Sequence, residues 1–251
     1  MSTPDTLQIV ATGAVDEVTL NRPERLNAIN QPLSDALLAY FESKRRDMET
    51  RIILLGGAGR AFCSGADLKA MGQPDALQDG PNGDWVLRDT LKAMRDCPQP
   101  IIALVQGAAA GGGLALAIAA DVIVAGESAA FHSAFIKIGL SASELGVSWR
   151  LQRTIGISRA REMLLTGRPM PAAEALQAGL VSRVVPDAEL RATGMKLADE
   201  MLRAAPDALR VSKRTFDTTL EIGNFAAALE LEERGQIQMI RAGRLARVKP
   251  D

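Results

Sequence analysis

Short alternating runs of apolar and polar residues open the sequence. Residues 7–12 and 14–20 alternate on either side of Gly13, which predicts a β-hairpin. Residues 33–48 repeat apolar side chains at helical spacing, and the apolar run 51–55 is typical of a strand buried in a parallel sheet. A helix followed by a strand is therefore the expected repeating theme.

The middle of the chain repeats this theme. The pattern predicts an amphipathic helix over 85–97, a strand over 100–105, a helix within 111–120 and a strand over 121–125. Successive strand, turn and helix units predict one layered α/β domain with its functional groups on the loops.

From Ser143 onward the pattern becomes mainly helical. Glycines follow the predicted helices 144–155, 159–165 and 172–178; a short strand is expected over 180–185, and further helices over 187–204, 206–220 and 224–242. We expect this long helical tail to pack on its own core or on a neighbouring subunit.

One apolar run, residues 101–120, has about the length of a membrane span. Ala and Gly dominate it, and consecutive glycines at 111–113 would break a continuous helix. We interpret it as a buried strand, a glycine-rich turn and a buried helix, and expect no membrane association.

Charge balance narrows the class of partner. The chain has 251 residues, with 29 Lys and Arg against 30 Asp and Glu, so a basic nucleic-acid-binding surface is not expected. Cys63, Cys97 and the single histidine, His132, show neither disulfide nor metal-site spacing. We therefore expect no metal site. Residues 1–10 carry no recognisable secretion signal, so we expect a cytoplasmic protein.

Two glycine-containing loops each follow a predicted buried strand. They are Ser64-Gly65-Ala66-Asp67 and Gly111-Gly112-Gly113. If the strands are neighbours, bare backbone N–H groups of both loops can converge on one oxygen atom and hold a developing oxyanion. Close packing of backbone segments is the alternative explanation. Neither loop matches a P-loop or a dinucleotide-binding motif.

Several segments together resemble the enoyl-CoA hydratase/isomerase (crotonase) superfamily. They occur in the family order and cover nearly the whole chain: residues 18–30 (VTLNRPERLNAIN), 60–71 (RAFCSGADLKAM), 100–131 (PIIALVQGAAAGGGLALAIAADVIVAGESAAF), 138–156 (IGLSASELGVSWRLQRTIG) and 164–185 (LLTGRPMPAAEALQAGLVSRVV).

The resemblance implies an α/β fold, a spiral of ββα units over residues 1–190, followed by a helical trimerisation region over 191–251. It also implies a homotrimer, or a hexamer of paired trimers. The substrate would be an acyl-CoA thioester, with coenzyme A part of the substrate and no separate cofactor.

Site residues follow from the same resemblance. The backbone N–H groups of Ala66 and Gly112 would form the oxyanion hole for the thioester oxygen. Coenzyme A would lie along Ser64, Ala66, Asp67, Leu68 and Lys69, with Arg22, Arg25 and Leu26 near its phosphate end. Because coenzyme A is strongly anionic, positive charge must be concentrated locally, and Arg60 is a further candidate.

The family pattern breaks at both catalytic carboxylates. Hydratases of the family carry one glutamate three residues after the middle glycine of the GGG loop and another 20 residues later. Here those positions hold Ala115 and Phe135. Neither side chain transfers a proton, so the usual two-carboxylate addition of water cannot be carried over.

Glu144 is the best-placed substitute. Dienoyl-CoA isomerases of the family carry a catalytic aspartate in the loop after a Gly-Leu pair, and Gly139-Leu140 followed by Glu144 matches that neighbourhood with one extra residue. Ser143 is expected to cap a helix beginning at Glu144, where the helix dipole favours an ionised carboxylate. That position suits a base and equally suits a glutamate that only stabilises the helix.

Other candidates have plainer interpretations. Glu127 is expected at the surface, and His132 is either a base or a structural residue. Phe131 and Phe135 would shape an acyl pocket or fill the core, and Trp149 has the same two interpretations.

We therefore expect double-bond isomerisation or atypical hydration, with Glu144 as acid and base. A non-catalytic acyl-CoA binding protein of the same fold is the alternative, and RNA binding is disfavoured by the charge balance. Acyl specificity is expected to depend on the loop 72–83.

Overall fold

The computed structural model describes residues 6–69 and 83–243, with the side chains of 83–86 excluded. The loop 72–83, to which acyl specificity was assigned, therefore lies almost entirely outside the described residues. The strands are β1 Leu7–Thr12, β2 Val15–Leu20, β3 Ile52–Gly57, β4 Ile101–Val105, β5 Ala108–Ala110, β6 Val122–Gly126, β7 Ala130–His132, β8 Pro169–Pro171 and β9 Arg183–Val185. The α-helices are α1 Gln31–Ser43, α2 Gly83–Asp96, α3 Gly112–Ala119, α4 Val147–Thr154, α5 Ile157–Thr166, α6 Ala172–Gln177, α7 Leu190–Leu202, α8 Pro206–Thr219 and α9 Phe225–Arg241.

The main sheet has the order β1-β2-β3-β4-β6-β9. Strands β1 and β2 form the expected antiparallel hairpin, with Leu7 opposite Leu20 and Thr12 opposite Val15. Every other pairing in this sheet is parallel. Parallel neighbours need crossover connections, and here helices and long loops supply them. The predicted hairpin and parallel strands are confirmed.

A second, smaller sheet has the order β5-β7-β8. Its first strand is three alanines, which carry no alternation of apolar and polar residues, so the sequence pattern did not predict it. The apolar run 101–120 consequently divides into β4, β5 and α3, with a glycine turn at Gly111. Among the described residues, none of the helices has the length and apolar character needed to cross a membrane.

Both faces of the main sheet are buried, because successive side chains of a strand point to opposite sides. On β3, Ile53 and Leu55 join the larger hydrophobic core, whereas Ile52 and Leu54 join a smaller core on the other face. Helix α7 covers that second face. A Cβ added at its Gly194 would come within 2.6 Å of the Leu104 side chain, so glycine permits the close packing.

The tail helices α8 and α9 follow α7 and contact each other. Lys213 of α8 is buried and reaches back to the core, where its Nζ lies 2.9 Å from Asp121 Oδ2. Other apolar side chains of these helices are uncovered, including Phe216 (67% exposed) and Phe225 (83% exposed).

The predicted start of the helix at Glu144 was wrong. Helix α4 begins at Val147, three residues after the expected start, and Ser143 does not cap it. Leu145 and Gly146 both have a positive φ (50° and 73°), and this left-handed backbone cannot be part of an α-helix. Glu144 therefore lies on a turn ahead of α4 and not within its first turn.

Candidate active site

The two glycine loops lie side by side because one extended segment pairs with both of its neighbours. Residues 62–63 pair on one side with the chain after β4: the Cys63 N–H donates to Ala108 O (3.0 Å), and the Ala110 N–H donates to Cys63 O (2.9 Å). On the other side, the Ser64 N–H donates to Leu26 O (2.9 Å). This pairing brings the candidate oxyanion loops together.

Gly65 and Gly112 are close neighbours in this arrangement. A Cβ built on Gly65 would lie 3.5 Å from the Gly112 nitrogen and 2.7 Å from Ala110 O, and Gly65 has a φ of +93°. Within the described part of the chain, neither the Ala66 N–H nor the Gly112 N–H donates a backbone hydrogen bond. Both donors are therefore available, and Gly112 is also the first residue of α3.

Helix α3 is held close to this segment by a glycine contact. A Cβ on Gly113 would collide with the carbonyl oxygen of Cys63. Gly111 takes φ 52° and ψ −116° to turn the chain into the helix, and its N–H donates to His132 O at 3.0 Å. The three consecutive glycines thus differ in role. Gly111 turns the chain, the Gly112 N–H has no backbone acceptor in the described chain, and Gly113 lets α3 approach Cys63 closely.

The residues expected to bind coenzyme A fall into two groups. Arg22 is largely buried: its Nη2 lies 2.9 Å from Asp67 Oδ2, and its Nη1 donates to Ala28 O. The Arg22 guanidinium therefore has partners within the protein, and it joins the segment around Ala28 to the segment around Asp67. Arg25 and Lys69 have exposed side chains.

The remaining members of that set differ in exposure. Leu68 is 56% exposed, Ala66 and Arg60 are exposed, and Leu26 and Ser64 are half-buried. Asp67 is buried.

Apolar side chains fill the two positions at which the family resemblance implied catalytic carboxylates. Ala115 is buried in α3, and Phe135 is buried in a short 3-10 helix. The Phe135 ring lies 3.7 Å from where a Cβ on Gly111 would be, so it contacts the glycine loop directly. Phe131 is fully buried in the core, in agreement with the core-packing alternative.

Glu144 is half-buried on the turn before α4, and its neighbour Leu145 contacts the candidate oxyanion loop at Gly112. Leu145 Cδ1 lies 3.9 Å from the position of a Cβ on Gly112, with Leu87 and Ile29 close to the same position. The Leu145 N–H donates to Glu144 Oε1 at 3.1 Å. The turn thus places an ionisable carboxylate one residue from the wall of the site.

Leu145 was not identified from the sequence. Its role depends on a positive φ and on a contact with Gly112, a residue 33 positions away along the chain. A leucine in a loop carries no local signal of either property.

The other titratable candidates lie differently. Glu127 is exposed, as expected. His132 is half-buried on β7, and its pKa is lowered by burial and by the nearby Lys137 charge. The backbone carbonyl of His132 accepts a hydrogen bond from the Gly111 N–H, which connects β7 to the glycine loop.

An apolar cavity of about 250 Å³ opens beside Ala115. Leu91, Leu145 and Trp149 form other parts of its wall. Two guanidinium groups lie over the Trp149 ring, those of Arg95 (5.4 Å to the ring centre) and Arg153 (4.2 Å). Across residues 6–69 and 83–243, no group of three or more His, Cys, Asp or Glu side chains is arranged to hold a metal.

Comparison with known proteins identifies the family of the chain. The sequence model of the enoyl-CoA hydratase/isomerase family matches residues 11–244. A probable enoyl-CoA hydratase of Mycobacterium bovis, echA12, is 41% identical over 229 residues, which are 89% of this chain and 80% of that protein.

Solved structures give the same result. A probable enoyl-CoA hydratase/isomerase from Mycobacterium abscessus superposes with a TM-score of 0.86 at 35% identity, covering 94% of this chain and 90% of that one. A monofunctional enoyl-CoA isomerase from Mycobacterium smegmatis has a TM-score of 0.77 at 40% identity, covering 89% and 98%.

The fold is thus that of the crotonase superfamily, a mixed α/β fold with a C-terminal helical region. The chain belongs to the enoyl-CoA hydratase/isomerase family, and it is an enzyme of that family.

Proposed function

We propose that this enzyme moves a double bond within an enoyl-CoA thioester through an enolate held by the Ala66 and Gly112 N–H groups. Atypical hydration is the second possible reaction. The observation that carries the proposal is the position of the Glu144 turn, whose Leu145 packs on Gly112, beside a site with Ala115 and Phe135 at the usual carboxylate positions. The similar monofunctional enoyl-CoA isomerase supports isomerisation.

A single carboxylate is sufficient for isomerisation. Glu144 takes a proton from one carbon of the substrate, and the released electron pair moves into the thioester carbonyl to form the enolate. The protonated Glu144 then returns the proton to the carbon at the other end of the conjugated system, which restores the carboxylate. Hydration would also require activation of water, for which the residues at 115 and 135 supply no group.

The backbone donors stabilise the charge that develops on the thioester oxygen. Both N–H groups are unused by other backbone acceptors in the described chain, so they need no rearrangement before they bind the oxyanion. Coenzyme A is part of the substrate, and the chemistry requires no further cofactor.

Exposed cations adjoin the paired loops where coenzyme A is proposed to lie. Arg25, Arg60 and Lys69 are exposed and suit the phosphates of coenzyme A. The rest of the coenzyme A moiety is proposed to lie along Leu26, Ser64 and Leu68. Arg22 contributes indirectly in this proposal, because its ion pair holds Asp67 and thereby the loop that carries Ala66.

We also propose a cytoplasmic homotrimer or a hexamer of paired trimers. The exposed phenylalanines of α8 and α9 support self-association, because large apolar side chains are usually covered. Sedimentation analysis measures the assembly directly.

Replacing Glu144 with Gln tests the reaction. Gln keeps the size of the side chain and removes its basicity, so we expect kcat for enoyl-CoA isomerisation to fall about 10²- to 10⁴-fold while acyl-CoA binding is retained. Glu127→Gln, at an exposed glutamate, is the matched control and should keep its activity.

Two results would change the assignment. Unchanged turnover in the Glu144→Gln variant would remove this residue from the mechanism. Binding of CoA esters without turnover of any enoyl, dienoyl or hydroxyacyl thioester by the unmodified protein would favour the non-catalytic acyl-CoA binding function.

A further inference from the structure

The apolar cavity beside Ala115 lies between three helices that come together at Gly112. Helix α3 begins at Gly112 itself. In the second turn of α2, Leu87 Cδ2 lies 2.9 Å from the position of a Cβ on that glycine, and Leu145 Cδ1, just before α4, lies 3.9 Å from the same position. The proposed oxyanion donor therefore lies at one end of the space between these helices.

The cavity follows the helices away from Gly112. In α3 it is lined by Ala115 and Ala119, which lie three and seven residues beyond Gly112 on one side of the helix. In α4 it is lined by Trp149, four residues beyond Leu145. Because a helix rises about 1.5 Å per residue, the cavity follows α3 for about 10 Å.

Trp149 and Arg95 form the wall at the end remote from Gly112. Arg95 follows Leu87 by eight residues, which is about 12 Å along α2. Its guanidinium lies 5.4 Å from the centre of the Trp149 ring, and both residues line the cavity. The contact connects α2 with α4 and bounds the space between them at that end.

Residues outside the cavity hold this contact in place. Arg95 Nη2 lies 3.0 Å from Asp217 Oδ1 of α8, and the Arg153 guanidinium lies 4.2 Å from the centre of the Trp149 ring. The Arg95 charge is thus engaged by Asp217 and the ring, which leaves the hydrocarbon part of its side chain for the cavity wall. This arrangement agrees with the apolar surface of the cavity.

We propose that Trp149 limits the length of the acyl group, so that this enzyme prefers apolar acyl chains of about eight carbons to longer ones. This inference rests on the proposed function, in which the thioester oxygen lies at the Ala66 and Gly112 N–H groups. An acyl chain that enters the cavity from there passes Ala115 and reaches Trp149. A fully extended chain advances about 1.2 Å per bond, so about 10 Å accommodates about eight bonds.

The volume and the surface of the cavity agree with this limit. A water molecule takes up about 30 Å³ in the liquid, so about 250 Å³ holds about eight groups of that size. Each methylene group that is fully buried against the apolar wall should raise the affinity about 4-fold. A carbon beyond Trp149 gains no such burial, and it meets a ring that two arginines hold in place.

Binding of unreactive substrate analogues tests the proposal without depending on turnover. Saturated acyl-CoA thioesters with even-numbered chains of about four to twelve carbons are titrated into the full-length protein by calorimetry. The variants are Trp149→Ala, Trp149→Leu and, as a control, Val10→Ala, which shortens an exposed apolar side chain of β1 that does not line the cavity.

The affinity of the unmodified protein should rise about 2- to 4-fold per added carbon up to about eight carbons, and then level off or fall. Trp149→Ala should move this limit to chains about two to four carbons longer, because it opens the end of the cavity. The variant should bind the longest thioester about 10-fold or more tightly than the unmodified protein does, and the shortest one with an affinity changed by less than about 3-fold.

Trp149→Leu should move the limit in the same direction by a smaller step, since part of the apolar bulk remains. Val10→Ala should leave the limit where it is. Tighter binding of a longer ligand cannot result from a damaged fold, so this readout separates a limit on chain length from a merely structural role of the ring.

The outcomes also separate this proposal from the reaction assignment. An affinity that keeps rising equally over the whole series, or an unchanged limit in Trp149→Ala, overturns the role of Trp149 even if enoyl-CoA isomerisation is observed. A limit that moves in the variant, without turnover of the corresponding enoyl thioesters by the unmodified protein, supports the role and overturns the reaction. If Trp149→Ala does not fold, the Trp149→Leu series decides in the same way.

Discussion

Gly65 offers a direct test of the oxyanion geometry, because a single methyl group there should misalign both donors. In Gly65→Ala the new Cβ would lie 2.7 Å from Ala110 O, closer than real Cβ contacts permit, and 3.5 Å from the Gly112 nitrogen. The colliding atom belongs to the backbone, so the two loops must move apart by several tenths of an ångström. The donors of Ala66 and Gly112 move with them.

Two costs follow from the structure. The φ of +93° at Gly65 adds about 1–2 kcal/mol of backbone strain for an alanine, and the collision adds a similar amount, so we expect a loss of unfolding free energy of about 2–4 kcal/mol. Removing one oxyanion donor lowers kcat about 10²- to 10³-fold in other enzymes, and a displacement of this size should lower it about 100-fold. KM should change much less, since the stabilisation is lost mainly in the transition state.

The assay combines enoyl-CoA turnover with urea unfolding of the same preparations. Gly13→Ala is the control: Gly13 also has a positive φ (+61°), but nothing lies within 4 Å of the added Cβ, and the residue is in the β1–β2 turn. This control should lose about 1–2 kcal/mol of stability and keep its kcat. If folded Gly65→Ala and Gly13→Ala had the same kcat, the two loops would not form the oxyanion site.

Two further predictions concern stability. Lys213→Met removes a buried cation that pairs with the partly exposed Asp121 and donates to Met94 O and Gln99 O. It should lower the unfolding free energy by about 2 kcal/mol, measured by urea denaturation, and a loss below about 0.5 kcal/mol would mean that α8 is not anchored there. Because the pKa of His132 is lowered in the folded protein, the unfolded chain binds a proton at His132 more readily than the folded protein does. Stability should therefore fall as the pH drops below the ordinary value of 6.5, and His132→Gln should reduce this dependence in thermal unfolding; an unchanged pH profile would contradict the assignment.

The elements that could be predicted are those whose signal is local. The β1–β2 hairpin follows from alternation on both sides of Gly13, and the parallel strands follow from short apolar runs. The start of α4 was misjudged because Ser143 and Glu144 are a plausible helix start by themselves. The left-handed backbone of Leu145 and Gly146, which delays the helix, has no comparable local signal.

The candidate site divides in the same way. Order and spacing along the chain identified the glycine loops, the apolar residues Ala115 and Phe135, and Glu144 as a candidate acid and base. They did not reveal that Arg22 is committed to Asp67, or that Leu145 packs on Gly112. Both are contacts between segments far apart in sequence, which only the pairing of the loops brings together.

The sequence by itself thus determined the family and the α/β architecture, and it identified the candidate oxyanion loops and the apolar residues at positions 115 and 135. These are properties of residue type and spacing, which the chain carries before it folds. The tertiary structure alone decided which charges are satisfied. An arginine looks the same in sequence whether a carboxylate accompanies it or not. Folding pairs Arg95 with Asp217, Lys213 with Asp121 and Arg22 with Asp67, and each of these pairs joins residues far apart along the chain.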